Sequence, residues 1–457
     1  MASLLQQSGQ SIVIRVVLIH PAHRGLLGLE HASSVFLPRI AISPKGRHAM
    51  EIAEQLYAHW EIHCVVLEIL HPEDNSAKCA VVELLTTTWR FEEDGFTIAQ
   101  VSTIATTELT TSERDTVAAI TTGNAETRGP FARLGWVADA QQWIRESSPA
   151  RTIDFNPEEF HSSASGHNAL ARFGTFSGPA LWLKATGSIN QHEFDVHQRI
   201  TEYAPECVPP LIAFRPDWRA WVTEEAGRPL EEFVELHRLE RAALSLFQLQ
   251  QSTIGHIQAL LACGCSDQRL SSLRHQVPSM IRYLESAMAQ QTSTHVAPLR
   301  SEELHTLGSL LDKACEVLDM MKIPDTLGHN DLNLTNILFN GRDVVFVDWA
   351  EAAVGNPFLS YQHLRIHAID LGPGTSWTQP LDRIYKRRWM SVISDTQISK
   401  SLALSPLLAI AAYVCGRDPH FKSAYRDLPS PQSQARGLAR QMARLARSNE
   451  FQEAICH

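Results

Sequence analysis

The sequence predicts an α+β protein in which a small β-rich lobe leads into a larger helical lobe, with a separate small α+β module in front. Three observations predict it. Over the first ~145 residues, short runs rich in Val, Ile and Leu flank one stretch of helical spacing. From about Arg151 two apolar runs face each other across the Gly174–Gly178 turn. After Gly227 the pattern turns strongly helical, from Leu230 through Leu261 and again around Leu304–Met320. A β-rich piece followed by a helical piece is an α+β layout.

In chain order, Ile12–Ile19, Cys64–Leu70 and Cys79–Leu85 read as strands. Ile12–Ile19 has no basic region before it and Arg15 interrupts it, so a buried strand is expected there rather than a signal peptide. Ser43-Pro44 marks a helix start, and Ala49, Ile52, Ala53, Leu56 and Trp60 follow at helical spacing. The Thr-rich stretch Thr103–Thr127 is expected to be loop with some strand, and Phe131–Arg145 to be a helix. Ser147-Ser148-Pro149 then marks a boundary. Leu170–Phe173, Ala180–Lys184 and Trp218–Glu224 read as strands, and Glu193–Tyr203 as a short helix. The domains expected are therefore 1–146, 147–226 and 227–457.

Composition bounds the function. The chain has 457 residues, 44% of them hydrophobic, which suffices for several cores and excludes collagen-like or wholly disordered classes. Its 50 Asp+Glu exceed its 40 Lys+Arg, a net charge of −10 that argues against a dedicated nucleic-acid binder. The eight cysteines are scattered, with Cys263-Gly264-Cys265 the one close pair, and read as idle thiols in a reducing, cytoplasmic compartment. Leu402–Cys415 is too short to span a bilayer and contains Ser405 and Pro406, so no membrane association is expected. Arg436, Arg440, Arg444 and Arg447 lie at helical spacing and are expected to form a solvated basic face.

The stretch that carries chemistry is LGHNDLNLTNILF, Leu327 to Phe339, followed by VVFVDWAEA, Val344 to Ala352. Phosphoryl transfer needs a carboxylate to orient the attacking hydroxyl and oxygen ligands for the Mg²⁺ that clamps the phosphates. A loop with Asp331 and Asn336, beside an apolar strand ending in Asp348, supplies those groups.

His-x-Asp-x4-Asn followed by an apolar strand and Asp-Trp resembles the aminoglycoside phosphotransferase and choline kinase-like family, within the protein-kinase-like fold. The resemblance implies an ATP- and Mg²⁺-dependent phosphotransferase acting on a hydroxyl of a small molecule. It implies Asp331 as the catalytic base, Asn336 and Asp348 as metal ligands, and His329 as a residue that shapes the loop. Leu181-Trp182-Leu183-Lys184 is similar to the family's strand that delivers a lysine to the phosphates, with Glu193 as its ion-pair partner and Glu202 as the rival. Trp221–Gly227 resembles the hinge, and Ser162–Asn168, with Ser165 and Gly166, the turn that covers the phosphates. Asn330 stands where the family commonly has Gly. Ser360 stands where an acidic residue commonly follows the Gly355-Asn356-Pro357 turn, which puts one loop-bracing hydrogen bond in question. The front module resembles a Nudix-like fold without its carboxylate-rich helix, and reads as an accessory domain. The family's habitual acidic tail is missing from the last residues, FQEAICH, which makes a neutral alcohol, sugar or secondary metabolite at least as strong a candidate acceptor as a polycation. A non-catalytic nucleotide-binding or scaffold protein, and an enzyme that transfers AMP to a protein, are the alternatives.

Overall fold

The computed structural model describes residues 11–456 apart from 23–24, 32–33, 45–46, 71–77, 86–88, 106, 124–127, 150–158, 161–166, 177, 188–189, 371–376 and 417–423. The chain divides into two compact units: Met1–Phe194 with Leu211–Glu225, and Asp195–Pro210 with Ala226–His457.

The first unit holds β1 (Ile12–Ile19), β2 (Leu26–His31), β3 (Ser34–Phe36), β4 (Arg39–Ile42), α1 (His48–Trp60), β5 (Cys64–Leu70), β6 (Cys79–Leu84), β7 (Phe96–Ala99), α2 (Thr111–Thr122) and α3 (Trp136–Ser147). These strands form a seven-stranded sheet of order β3-β2-β1-β6-β5, with β4 paired to β1 and β7 to β2. The β1–β6 pair is parallel, Val17 opposite Val81, and both strands are almost wholly buried, as a central pair must be. The expected strands and α1 are present. The Thr-rich stretch differs from expectation, because Thr111–Thr122 is a helix. Its signal is a capping box: Thr110 accepts the Glu113 N–H, and the Glu113 carboxylate accepts the Thr110 N–H. Glu113 also pairs with the buried Arg15 at 2.7 Å, so the cap anchors α2 to β1.

The same unit continues with β8 (Glu159–Phe160), β9 (Ala169–Phe173), β10 (Leu181–Ala185), the first residues of α4 (His192–Tyr203), β11 (Leu211–Arg215) and β12 (Ala220–Glu224). These strands form an antiparallel sheet of order β11-β12-β10-β9-β8, in which Lys184 lies opposite Trp221. The two sheets share one core. Val17, Val81 and the α3 residues Trp136 and Ile144 belong to the same buried cluster as Phe173, Leu183 and Val222. Trp218 is central to it, edge-on to Phe131 at 5.4 Å and to Trp143 at 6.4 Å, with Arg215 stacked 3.5 Å over its ring.

The second unit is mostly helical. It contains β13 (Arg228–Pro229), α5 (Leu236–Thr253), α6 (Ile257–Ala262), β14 (Ser266–Gln268), α7 (Leu270–Ala289), α8 (Ser301–Met320), β15 (Thr326–His329), β16 (Ile337–Phe339), β17 (Val344–Phe346), β18 (Ala352–Gly355), α9 (Pro357–Asp370), α10 (Thr378–Trp389), α11 (Asp395–Cys415), α12 (Pro429–Leu445) and α13 (Asn449–Cys456). Two small sheets, β13-β16-β17 and β14-β18-β15, sit among the helices. The capping box of Ser394 and Gln397 starts α11 upstream of the apolar run seen in the sequence. By length and composition α11 is long and apolar enough to cross a membrane, yet 61% of its apolar window is buried inside the protein. The basic face expected here is solvated only in part: Arg444 and Arg447 are exposed, while Arg436 and Arg440 are partly buried. Arg436 donates to the Ala287 carbonyl at 2.9 Å, Arg440 to Gln291, and Arg447 to Glu303 at 3.0 Å. The guanidinium reaches back to the end of α7 and the start of α8, a use that helical spacing alone does not disclose.

Glu83 on β6 is 5% exposed, and both its carboxylate oxygens accept the Gly135 N–H, at 2.9 and 3.0 Å, where α3 begins. Burial pushes its carboxyl up from the ordinary 4.5 to about 7, against the lowering pull of that N–H and of Arg133. Stability tied to the neutral carboxyl is therefore present below the ordinary value and is lost as pH rises through the folded value. In Glu83→Gln the melting temperature should gain on wild type progressively between about pH 5 and about pH 8. A difference that stays constant over that range in a thermal-unfolding series would remove Glu83 as its cause. A second expectation follows from the shared core. Trp136→Ala should cost about 3–5 kcal/mol, and circular dichroism and tryptophan fluorescence should report one common transition for both sheets; two separate transitions would contradict it.

Candidate active site

In the first unit β10 presents Lys184 and the start of α4 presents Glu193. Lys184 Nζ lies 2.5 Å from Glu193 Oε1, and the Glu193 side chain is 1% exposed against 24% for Lys184. The ammonium also sits 5.8 Å over the ring of Trp221, its cross-strand neighbour. Glu202, the rival partner, is exposed and pairs with Arg199 at 2.7 Å, one turn away on its own helix. Glu193 and Glu202 lie nine positions apart on one helix, so a slip of register would have been needed to exchange them. Ser165 and Gly166 lie outside the described residues.

The strand expected to lead into the hinge is β12, and Glu225 follows it. Glu225 accepts a two-pronged bond from Arg172, at 2.7 and 3.1 Å, and a third bond from Trp182 Nε1 at 3.3 Å, while its N–H donates to Ala180 at 2.8 Å. The Arg172 guanidinium holds the Glu225 carboxyl below its ordinary value. In the second unit, Gly227 has φ +118°, and a Cβ there would lie 2.4 Å from the Phe339 carbonyl, so only glycine fits.

The second unit builds the loop that carries Asp331. β15 ends at His329, and β16 takes the chain away from Ile337. Asn336 Nδ2 donates to the Asp331 carbonyl at 2.9 Å and to Asp331 Oδ2 at 3.0 Å, while Asn333 Nδ2 donates to Oδ1 at 3.0 Å. The Asp331 carboxylate is thus held on both oxygens, and the Asn336 amide is turned so that Oδ1 is its remaining acceptor. Asn333 Oδ1 in turn accepts the N–H groups of Thr335 and Asn336, both at 3.1 Å. Asn333 escaped the sequence reading, although an Asn two residues after the Asp is a ready side-chain turn former.

Val347 ties this loop to Asp348. Its N–H donates to the Asn336 carbonyl at 3.0 Å, and its carbonyl accepts from His329 Nε2 at 2.9 Å. His329 Nδ1 accepts the Asp331 N–H at 3.3 Å, so the imidazole is neutral with its proton on Nε2, and it shapes the loop as the resemblance implies. Asp348 itself is exposed and adopts φ 66°, ψ 70°, a left-handed conformation that a non-glycine residue takes at a cost. The bracing bond left in question at Ser360 is made. Its hydroxyl accepts the His329 N–H at 2.9 Å and donates to the His329 carbonyl at 3.1 Å. His367 on α9 adds a brace that the sequence did not signal, donating from Nε2 to the Leu332 carbonyl at 3.0 Å.

Asn336 and Asp348 offer hard oxygen donors, the type that suits Mg²⁺ bound by few protein ligands together with phosphate oxygens. Among the described residues there is no group of three or more His, Cys, Asp or Glu that could hold a metal ion by itself.

Residues 208–359 match the model of the phosphotransferase enzyme family APH, and this segment contains Asp331, Asn336 and Asp348. The part of the motif resemblance that holds Asp331, Asn336 and Asp348 lies inside the matched segment, while Lys184 and Glu193 lie before it. No curated protein matches the chain. Among solved structures, a choline/ethanolamine kinase family protein from Mesorhizobium loti is 14% identical, covering 63% of this chain and 88% of its own, with a TM-score of 0.44. A putative fructosamine-3-kinase from Thermobifida fusca is 16% identical, covering 66% of this chain and 98% of its own, with a TM-score of 0.42. A macrolide 2'-phosphotransferase from Brachybacterium faecium is 13% identical, covering 67% and 98%, with a TM-score of 0.41. At TM-scores below 0.5 these likenesses carry nothing further for this chain.

The ion pair of the first unit has unequal partners, and that sets an expectation. Lys184→Met leaves a fully buried carboxylate without its ammonium and should cost about 3–5 kcal/mol. Glu193→Gln leaves an ammonium that water can reach and should cost clearly less. Urea denaturation of both variants checks this, and an equal or reversed order would contradict it.

Proposed function

We propose that the protein is an ATP-dependent O-phosphotransferase that acts on a hydroxyl of a small molecule, with ATP and Mg²⁺ as cofactors. One observation carries this reading: within the family-matched segment, Asp331 is clamped by Asn336, and Val347 ties the same loop to the exposed, left-handed Asp348. Bound Mg·ATP supplies the phosphoryl group and neutralises the charge that develops on its oxygens.

The chain's own residues do the rest by positioning. Asp331 orients the acceptor hydroxyl and accepts its proton. Its hydrogen bonds to Asn333 and Asn336 keep it aimed, which favours attack from one direction. Asn336 Oδ1 and the Asp348 carboxylate are the protein ligands for the metal. Lys184 would serve the nucleotide's phosphates, as the resemblance implies, and the buried Glu193 limits the conformations open to its ammonium. The front module is an accessory domain whose sheet supports the sheet that carries Lys184, through their shared core.

Asp331→Ala should reduce ATP turnover to background while nucleotide binding survives. Asp348→Ala should abolish the Mg²⁺-dependent part of the thermal shift produced by ATP. The measurements are thermal-shift titrations with ATP, with and without Mg²⁺, and an acceptor screen by mass detection across aminoglycosides, macrolides, sugars and amino alcohols. Full turnover by Asp331→Ala would remove that residue from the base role. An ATP-induced shift with no product from any acceptor would favour the non-catalytic nucleotide-binding alternative, and an added AMP on a protein would favour the other.

A further inference from the structure

We propose that Gln268 is a positioning residue for Asp331, acting through Asn330; the inference rests on the reading of Asp331 as the base. Asn330 is 7% exposed, so its side-chain amide is removed from water and needs partners inside the protein. Asn330 Nδ2 donates to Gln268 Oε1 at 2.6 Å, and Gln268 is itself 3% exposed. Gln268 Nε2 donates onward to the Ala412 carbonyl at 3.1 Å. That carbonyl lies in the last turn of α11, where the Gly416 N–H bonds Tyr413 instead, so it is one of the acceptors a helix end leaves open. A Cβ on Gly416 would come within 3.2 Å of Gln268 Nε2, so the glycine gives the amide room to reach the helix end.

The Gln268 backbone is as firmly held as its side chain. It pairs with Gly355 in the parallel β14–β18 ladder, and a Cβ on Gly355 would lie 2.6 Å from the Gln268 carbonyl. The amide that grips Asn330 is therefore mounted on a strand and on a helix terminus. Asn330 sits between His329, whose backbone Ser360 holds, and Asp331, whose carboxylate Asn333 and Asn336 hold. Those latter holds come from within the loop and would move with it. The Gln268–Asn330 bond ties the loop to elements outside it just before the base. Because Gln268 is fully buried and touches neither Asp331 nor its carboxylate partners in any of these bonds, its contribution is to orientation alone.

The test compares wild type with Gln268→Leu, Asn330→Gly and the double variant, using amide hydrogen exchange over residues 327–336 and steady-state ATP turnover with Mg²⁺. Each single variant should speed exchange in that segment about ten-fold and lower kcat about ten-fold, with KM for ATP unchanged. The double variant should be no worse than either single one, since both remove the same link. Unchanged exchange in a folded single variant, or losses that add in the double, would overturn the proposal. If Gln268→Leu does not fold, Asn330→Gly decides the matter by the same two readouts. Exchange that responds as expected in a protein that yields no product with any acceptor of the screen leaves the hold of Gln268 on the loop standing and removes the phosphotransferase reading. Normal turnover with unresponsive exchange does the reverse.

Discussion

The segment from His329 to Asn336 is withdrawn from water at His329, Asn330, Leu332, Leu334 and Asn336, though Thr335 is exposed, and its buried backbone polar groups have to find partners inside the protein. That requirement shapes the site. The loop is too irregular to satisfy itself by a helix or sheet ladder, so side chains do it: Asn333 and Asn336 from within, and His329, Ser360 and His367 from the strand end and α9. Each such bond also fixes a torsion next to Asp331. The same hydrogen bonds that make burial tolerable thereby make the carboxylate stationary, which is what a reaction governed by positioning needs.

A comparable economy holds in the first unit. Glu193 is buried, its ion pair with Lys184 compensates its charge, and the pair restrains Lys184 in turn. The sheet that carries this pair does not close its own core. Trp218, Phe173 and Val222 pack with Trp136, Ile144 and β1 of the front module, so the accessory segment and the lysine-bearing sheet share one hydrophobic interior. A small five-stranded sheet with one face otherwise open gains from such a backing, because its apolar face must be covered by something.

Much of this was legible in the residues. Ile12–Ile19, Cys64–Leu70 and the β9–β10 hairpin show their strand character through consecutive or alternating apolar residues, and α8 through its helical repeat. Other elements were not legible, for physical reasons. β2, β3, β4 and β7 are short and take their regularity from pairing with β1 and β2, an interaction between distant residues. The helix at Thr111–Thr122 hides under β-branched residues of low helix propensity, although its capping box is written at Thr110 and Glu113. The inward reach of Arg436 and Arg440 was not legible because periodicity says which face a residue occupies and not how far its side chain reaches.

By itself the sequence determined the α+β class and pointed to the stretch Leu327–Ala352, which the family match also contains. It could do so because the apolar period and a short motif are local properties, carried by neighbours in the chain. The tertiary structure decided which glutamate meets Lys184, how Ser360 supplies the brace a carboxylate would have made, and that Asn330 finds Gln268 and through it the end of α11. Those are pairings between residues far apart in the chain, chosen by burial: once water is excluded, each polar group keeps whichever partner the packing brings within reach.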